Sequence, residues 1–141
     1  MLQINDLIGK PFKDGGRGPK EYDCWGLAAE VFRRAGVALP DYRISCEASG
    51  EVDREINANR FQWVRCAGEI PVPALVVFAD RGLCTHVGVY LGSGWFIHAY
   101  EKTGVAKGRT EHPFWRSRIE GFYVPGWSHD KHCISAQSGP A

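Results

Sequence analysis

Tyr22-Asp23-Cys24-Trp25-Gly26, with Leu27-Ala28-Ala29-Glu30-Val31-Phe32-Arg33-Arg34-Ala35-Gly36 directly behind it, is the stretch on which the reading of this chain turns. From Trp25 to Ala35 the apolar residues Leu27, Ala28, Val31, Phe32 and Ala35 follow helical spacing. Asp23 is placed as the N-cap and Gly36 as the stop. Cys24, Ala28, Val31 and Ala35 share one face, so the thiol is expected to point into the body of the protein. A cysteine at a helix start lies at the positive end of the helix dipole, among unpaired N–H groups. That setting favours the thiolate, the nucleophilic form.

Working outward, the period changes from helical to alternating. Glu51–Arg60 reads as a surface helix. Phe61–Arg65, Ala74–Phe78, His86–Leu91, Trp95–Tyr100 and Gly121–Val124 read as strands, rich in Val, Ile and aromatics. A helical N-terminal half followed by a mostly antiparallel sheet means an α+β fold. Residues 9–21, rich in Gly, Lys and Pro, read as an exposed loop. Residues 1–127 are expected to form one domain, and 128–141, without an apolar pattern, a loose tail.

Gly92-Ser93-Gly94 joins two strands as a hairpin. If it is a three-residue loop, Leu91 pairs with Trp95, His86 faces Tyr100 and Gly88 faces His98. The even-numbered His86, Gly88, Tyr90, Phe96 and His98 then share a face, and the odd-numbered Val87, Val89, Leu91, Trp95 and Ile97 form core. The two histidines become diagonal neighbours, roughly 7–8 Å apart at their backbones. Gly88 leaves room for another element on the histidine face. One imidazole can then serve as base for the Cys24 thiol, and the second can orient it.

Composition narrows the alternatives. The chain has 141 residues, 44% hydrophobic and 12% aromatic, which is long and apolar enough for a core. Its 17 basic and 16 acidic residues leave a net charge of +1, with no basic block for nucleic acid or anionic membrane. The longest apolar run, Ala74–Ala79, is too short for membrane insertion. Five cysteines (Cys24, Cys46, Cys66, Cys84, Cys133) without a C-x-x-C pair argue against a disulfide framework and for a reduced protein. No metal site is expected from them or from His129, His132 and Cys133. His112, His129 and His132 are read as surface residues.

Tyr22-Asp23-Cys24-Trp25-Gly26-Leu27, His86-Val87-Gly88-Val89-Tyr90-Leu91-Gly92 and Phe96-Ile97-His98-Ala99 together resemble the NlpC-type family of papain-like cell-wall cysteine peptidases. The motifs occur in family order, 62 residues from Cys24 to His86 and 12 from there to His98. The resemblance implies a papain-like fold with N-terminal helices on the sheet. It implies Cys24 as nucleophile, His86 as general base and acid, and His98 as its orienter. It places Tyr22 near the thiol to hold oxyanion or substrate, with Asp23 and Trp25 as further substrate or oxyanion candidates. It implies no cofactor.

The implied function is hydrolysis of an amide bond in peptidoglycan stem peptides, between D-glutamate and the following diamino acid. Trp25, where the family commonly has serine, resembles tail-tip lysins of tailed phages, so phage tail proteins are expected partners beside the stem peptides. No signal peptide is read at Met1–Asp6; the chain is expected to be made in the cytoplasm and to act on the cell wall, carried by a phage or prophage particle. Two rivals stand beside this reading. One is a thiol acyltransferase or transglutaminase-like enzyme on the same scaffold; the other is a non-enzymatic tail module.

Overall fold

A computed structural model describes residues 2–42 and 50–128. Cys46, Cys133, His129, His132 and the tail expected beyond residue 128 therefore lie outside the described residues.

After a short 3-10 turn at Asn5–Leu7 comes the first α-helix, α1, Cys24–Arg34. Asp23 caps it as expected, its side chain accepting from the Gly26 N–H. At the other end Val37 N–H donates to Phe32 O and Gly36 N–H to Arg33 O, a paired closure that satisfies the last carbonyls. Leu27, Ala28, Val31 and Phe32 are buried. Fully burying a side chain such as Phe32 contributes about 1.5–3 kcal/mol. α2 follows at Glu51–Asn59, close to the expected range.

Six strands form one sheet: β1 Trp63–Arg65, β2 Ala74–Asp80, β3 Leu83–Gly92, β4 Trp95–Tyr100, β5 Gly104–Arg109 and β6 Ile119–Pro125. Their order is β1-β6-β2-β3-β4-β5, and every neighbouring pair is antiparallel. The α+β class holds. A short helix α3, Pro113–Arg116, precedes β6. No described helix is long and apolar enough to cross a membrane.

The sheet has two covered faces. Leu75, Val77, Val87, Val89, Ile97, Ala99 and Val105 pack with α1, making the main core. Val76, Phe78 and Phe96 face the other way, against Tyr90, Trp115, Ile119 and Phe122. Of the odd-numbered hairpin residues expected in the core, Val87, Val89 and Ile97 are buried and Leu91 packs partly buried against them, but Trp95 is exposed at the turn, with Lys107 and Arg109 over its ring.

Several expectations are corrected. Phe61 and Gln62 belong to a 3-10 turn, not to the first strand. β5 and α3 were not expected at all. β5 buries only Val105 completely, so it has little apolar pattern to read. α3 starts on Pro113 with the His112 side chain accepting from Phe114 N–H; His112 is therefore a cap and not merely a surface residue. The body of the hairpin keeps the expected register, with Val89 opposite Ile97 and Tyr90 opposite Phe96. Its turn does not: Gly92 pairs with Trp95 after a register shift, leaving a two-residue loop, Ser93-Gly94, with both φ angles positive. Such a turn matches the twist of the strands better than a three-residue loop. Cys66 is disulfide-bonded, so a wholly reduced chain does not hold at that position.

Candidate active site

Cys24 opens α1, and the chain before it is fastened there by charge. The Asp23 carboxylate is fully buried and accepts from Gly26 N–H at 2.6 Å, Gly15 N–H at 3.0 Å and Arg17 Nη1 at 2.7 Å. The backbone closes the same joint, Asp23 N–H donating to Gly16 O. Gly26 has to be glycine: a Cβ there would collide with Gly16 O, so loop 15–17 lies directly on the helix start. Asp23, a substrate or oxyanion candidate from sequence, is thus a cap and an anchor. With Gly26 N–H given to Asp23 Oδ1 and Leu27 N–H to Asp23 O, an oxyanion would have to be met nearer the helix start, by the backbone of Cys24 or Trp25.

Cys24 is itself buried and forms part of a cavity of about 40 Å³, room for a few water molecules. Val77 and Val87 of the sheet, Trp25, Tyr42, and Val52 and Arg60 of the α2 segment line it. Trp25 is fixed on three sides. Its Nε1 donates to Pro40 O at 2.9 Å, its ring stacks on Tyr42 at 4.8 Å, and it meets Trp63 edge-on at 6.1 Å. It is a wall of the cavity. Tyr22 is buried with its ring against Gly18; burial, then the negative charge of Glu30, raises its phenol pKa. No described contact brings that phenol to the thiol.

The imidazoles form a second centre. The Nε2 of His86 and the Nδ1 of His98 lie 2.8 Å apart in a shared hydrogen bond. Both residues are buried. Rings surround them: Trp115 edge-on to His98 at 4.9 Å, Phe96 at 4.9 Å, Tyr100 stacked on His98 at 5.5 Å, and Phe78 at 5.4 Å from His86. Burial lowers the His98 pKa to about 4. Burial, and then the neighbouring His98, hold His86 well below the ordinary imidazole range. Both rings are therefore neutral at pH 7, and one N–H between them serves the shared bond. If His86 supplies it from Nε2, its Nδ1 keeps a lone pair for proton abstraction.

The structure brings His86 and His98 together and holds Cys24 apart from them. The pair sits on the α3 face with Phe78, Phe96 and Trp115; Cys24 sits on the α1 face with Val77 and Val87. A bulge divides the strand just here. Phe78 pairs with His86 but Ala79 with Cys84, leaving Thr85 as an extra residue. Cys84 thus joins the α1-face core, its N–H bonded to Asp53 Oδ1 and its thiol pushed up to about 11 by burial first of all. That thiol stays protonated at neutral pH. Gly88 is needed for the histidines themselves, not for an approaching element: a Cβ there would lie 2.9 Å from Ile97 O and 3.1 Å from His98 Cβ.

Three participants escaped the sequence. Trp115 roofs the imidazoles; its local signal was the His112-Pro113 helix start. Arg60 donates to the Tyr123 hydroxyl at 2.6 Å, and that hydroxyl donates to Glu120 at 2.7 Å, building the cavity's polar end. Arg17 lay hidden in a loop read as exposed. No group of three or more His, Cys, Asp or Glu among the described residues is arranged to hold a metal ion.

A cysteine heading a helix, laid on an antiparallel sheet that carries a histidine pair on adjacent strands, defines the class of papain-like α+β domains. The sequence pattern of the NlpC/P60 family matches residues 9–124, and the chain belongs to that family. It is 31% identical over 123 residues to "Probable endopeptidase p60" of Listeria monocytogenes, covering 86% of this chain and 22% of that protein. It is 29% identical over 119 residues to "Murein DD-endopeptidase MepS/Murein LD-carboxypeptidase" of Escherichia coli K12, covering 84% of this chain and 57% of that one. The chain thus spans less than a quarter of the Listeria relative and little more than half of the other. Among solved structures, an NLP/P60-family protein similar to a lipoprotein from Staphylococcus aureus superposes with a TM-score of 0.61 at 24% identity, over 84% of this chain and 37% of that one. The NlpC/p60 domain of the peptidoglycan hydrolase SagA gives 0.55 at 23%, over 84% and 88%.

Proposed function

We propose that this chain is a thiol hydrolase that cuts an amide bond in peptidoglycan stem peptides. The observation that carries this reading is Cys24 at the start of α1 in a chain whose family match spans both the cysteine and the histidine motifs. The names of the relatives support it: one is named a probable endopeptidase and the other a murein endopeptidase.

In this reading Cys24 attacks the carbonyl carbon, forming the S–C bond as the C–N bond breaks. His86 takes the thiol proton and passes it to the leaving amine. Water, deprotonated by the same imidazole, then hydrolyses the thioester and restores the thiol. His98 orients His86 through the bond between them. Because the described arrangement keeps the imidazoles on the α3 face, this proton transfer requires the imidazole pair and the start of α1 to approach one another with the His86–His98 bond kept.

The finer reading is cleavage between D-glutamate and the following diamino acid by an enzyme carried to the wall with a phage or prophage particle. It rests on the motif resemblance, including Trp25 after the nucleophile. Digestion of defined muropeptides, with mass spectrometry of the products, tests it. A newly exposed amine on the diamino acid supports the assignment. Separation of glycan from L-alanine replaces it with an amidase. An acyl-enzyme without cleavage favours acyl transfer.

A further inference from the structure

Arg17 gathers more of the thiol's surroundings than any residue named so far. Its Nη1 donates to Asp23 Oδ1 at 2.7 Å and to Gly16 O at 3.0 Å, its Nε to Asp41 Oδ1 at 2.7 Å, and its Nη2 to Tyr42 O at 2.9 Å. One guanidinium thereby ties the loop, the cap of α1 and the Tyr42 wall of the cavity. The electrostatic consequence follows from chain order. Asp23 is the residue before Cys24 and is fully buried, so its negative charge acts on a thiolate at Cys24 with little screening from water. The helix dipole favours that thiolate, whereas the capping carboxylate opposes it.

We propose that Arg17 is a positioning residue for the nucleophile: it cancels the charge of the cap that Cys24's own helix requires, and it holds the cavity wall through Tyr42. This rests on the reading of Cys24 as the nucleophile. Among the described residues, the charged and titratable groups around the thiol are Arg17 and Asp23 from the loop, Asp41 and Tyr42 from the following segment, Glu55 and Arg60 from α2 and its end, and Tyr123 from β6. Of these, Arg17 alone is bonded to the cap.

The test is the pH dependence of Cys24 alkylation by iodoacetamide, read by peptide mapping on the full chain. Arg17→Met, Arg17→Lys and Asp23→Asn are compared with the unaltered protein, and melting temperatures are measured alongside. In Arg17→Met the carboxylate is left uncancelled, so the alkylation midpoint moves up and the rate at pH 7 falls about tenfold, the equivalent of one pKa unit. In Asp23→Asn the amide still caps, the cation remains, and the midpoint moves down. Arg17→Lys recovers part of the loss. Opposite signs for the two partners of one ion pair are not produced by bracing alone, which would move both variants the same way. Same-direction shifts, or an unmoved midpoint in Arg17→Met, overturn the proposal. If Arg17→Met does not fold, Asp23→Asn decides: an unchanged or raised midpoint overturns it. Failure of the hydrolase reading looks different, with the opposite shifts observed while no muropeptide is cleaved.

Discussion

On the α1 face a buried carboxylate, Asp23, is met by a guanidinium and two backbone N–H groups; on the α3 face two buried imidazoles are met by each other and by aromatic rings. The first region keeps its charge and pairs it. The second discards charge, its histidines being neutral because burial penalises the imidazolium. The first is assembled from loops distant in sequence, the second from one hairpin and a short helix. The contrast shows how one thin sheet can carry two electrostatic environments, and it predicts that substitutions will separate into effects on chemistry and effects on acid stability.

The largest effect is expected at the thiol. Cys24→Ala should abolish turnover with the melting transition retained, whereas Cys84→Ser should keep turnover, since its thiol is protonated and bonded in the core. His86→Ala should lose several orders of magnitude, and His98→Asn less than His98→Ala, because an amide can still accept a hydrogen bond. Assays on defined muropeptides check the series; equal, negligible losses at both histidines would remove the imidazole centre from the chemistry.

Next comes the roof. Trp115→Ala should cost about 3 kcal/mol in urea unfolding, in the range for an aromatic removed from a packed cluster. It should also raise the His98 pKa towards 6.5, seen by NMR titration, because water then reaches the ring. A comparable effect comes from acid. His98 binds its proton near pH 4 in the folded protein and near 6.5 when unfolded, so the unfolded state takes up protons first as pH falls. The stability this neutral ring contributes is fully present above pH 6.5 and is lost between 6.5 and about 4, amounting to about 3 kcal/mol. His98→Asn should flatten that part of the stability–pH curve. The smallest effect is expected from Gly88→Ala, which crowds Ile97 O and His98 Cβ and should cost about 1–2 kcal/mol. A neutral result there would mean that the hairpin can relax around the pair.

What the sequence disclosed follows the same division. The α1 helix, its cap at Asp23 and its stop at Gly36 are set by residues within a turn of one another, so they could be read. The pairing of His86 with His98 could be read because alternation and a nearby turn fix a hairpin register. The two-residue turn at Ser93-Gly94 and the bulge at Thr85 could not, because each shifts pairing by one residue without altering the apolar pattern on either side. β5 escaped because it is an edge strand with one fully buried side chain. Arg17 escaped because Asp41 and Tyr42, two of its partners, lie more than twenty residues away. The separation of thiol from imidazoles by the sheet was invisible for the same reason: it depends on which element covers each face.

The most direct test of the account is digestion of a defined disaccharide-tetrapeptide muropeptide by the purified chain and by Cys24→Ala, followed by mass spectrometry. The account predicts that the unaltered chain splits a stem-peptide amide, exposes the amine of the diamino acid and passes through a mass shift on the Cys24 peptide, while Cys24→Ala leaves the muropeptide whole. Cleavage by Cys24→Ala at the rate of the unaltered chain would contradict it.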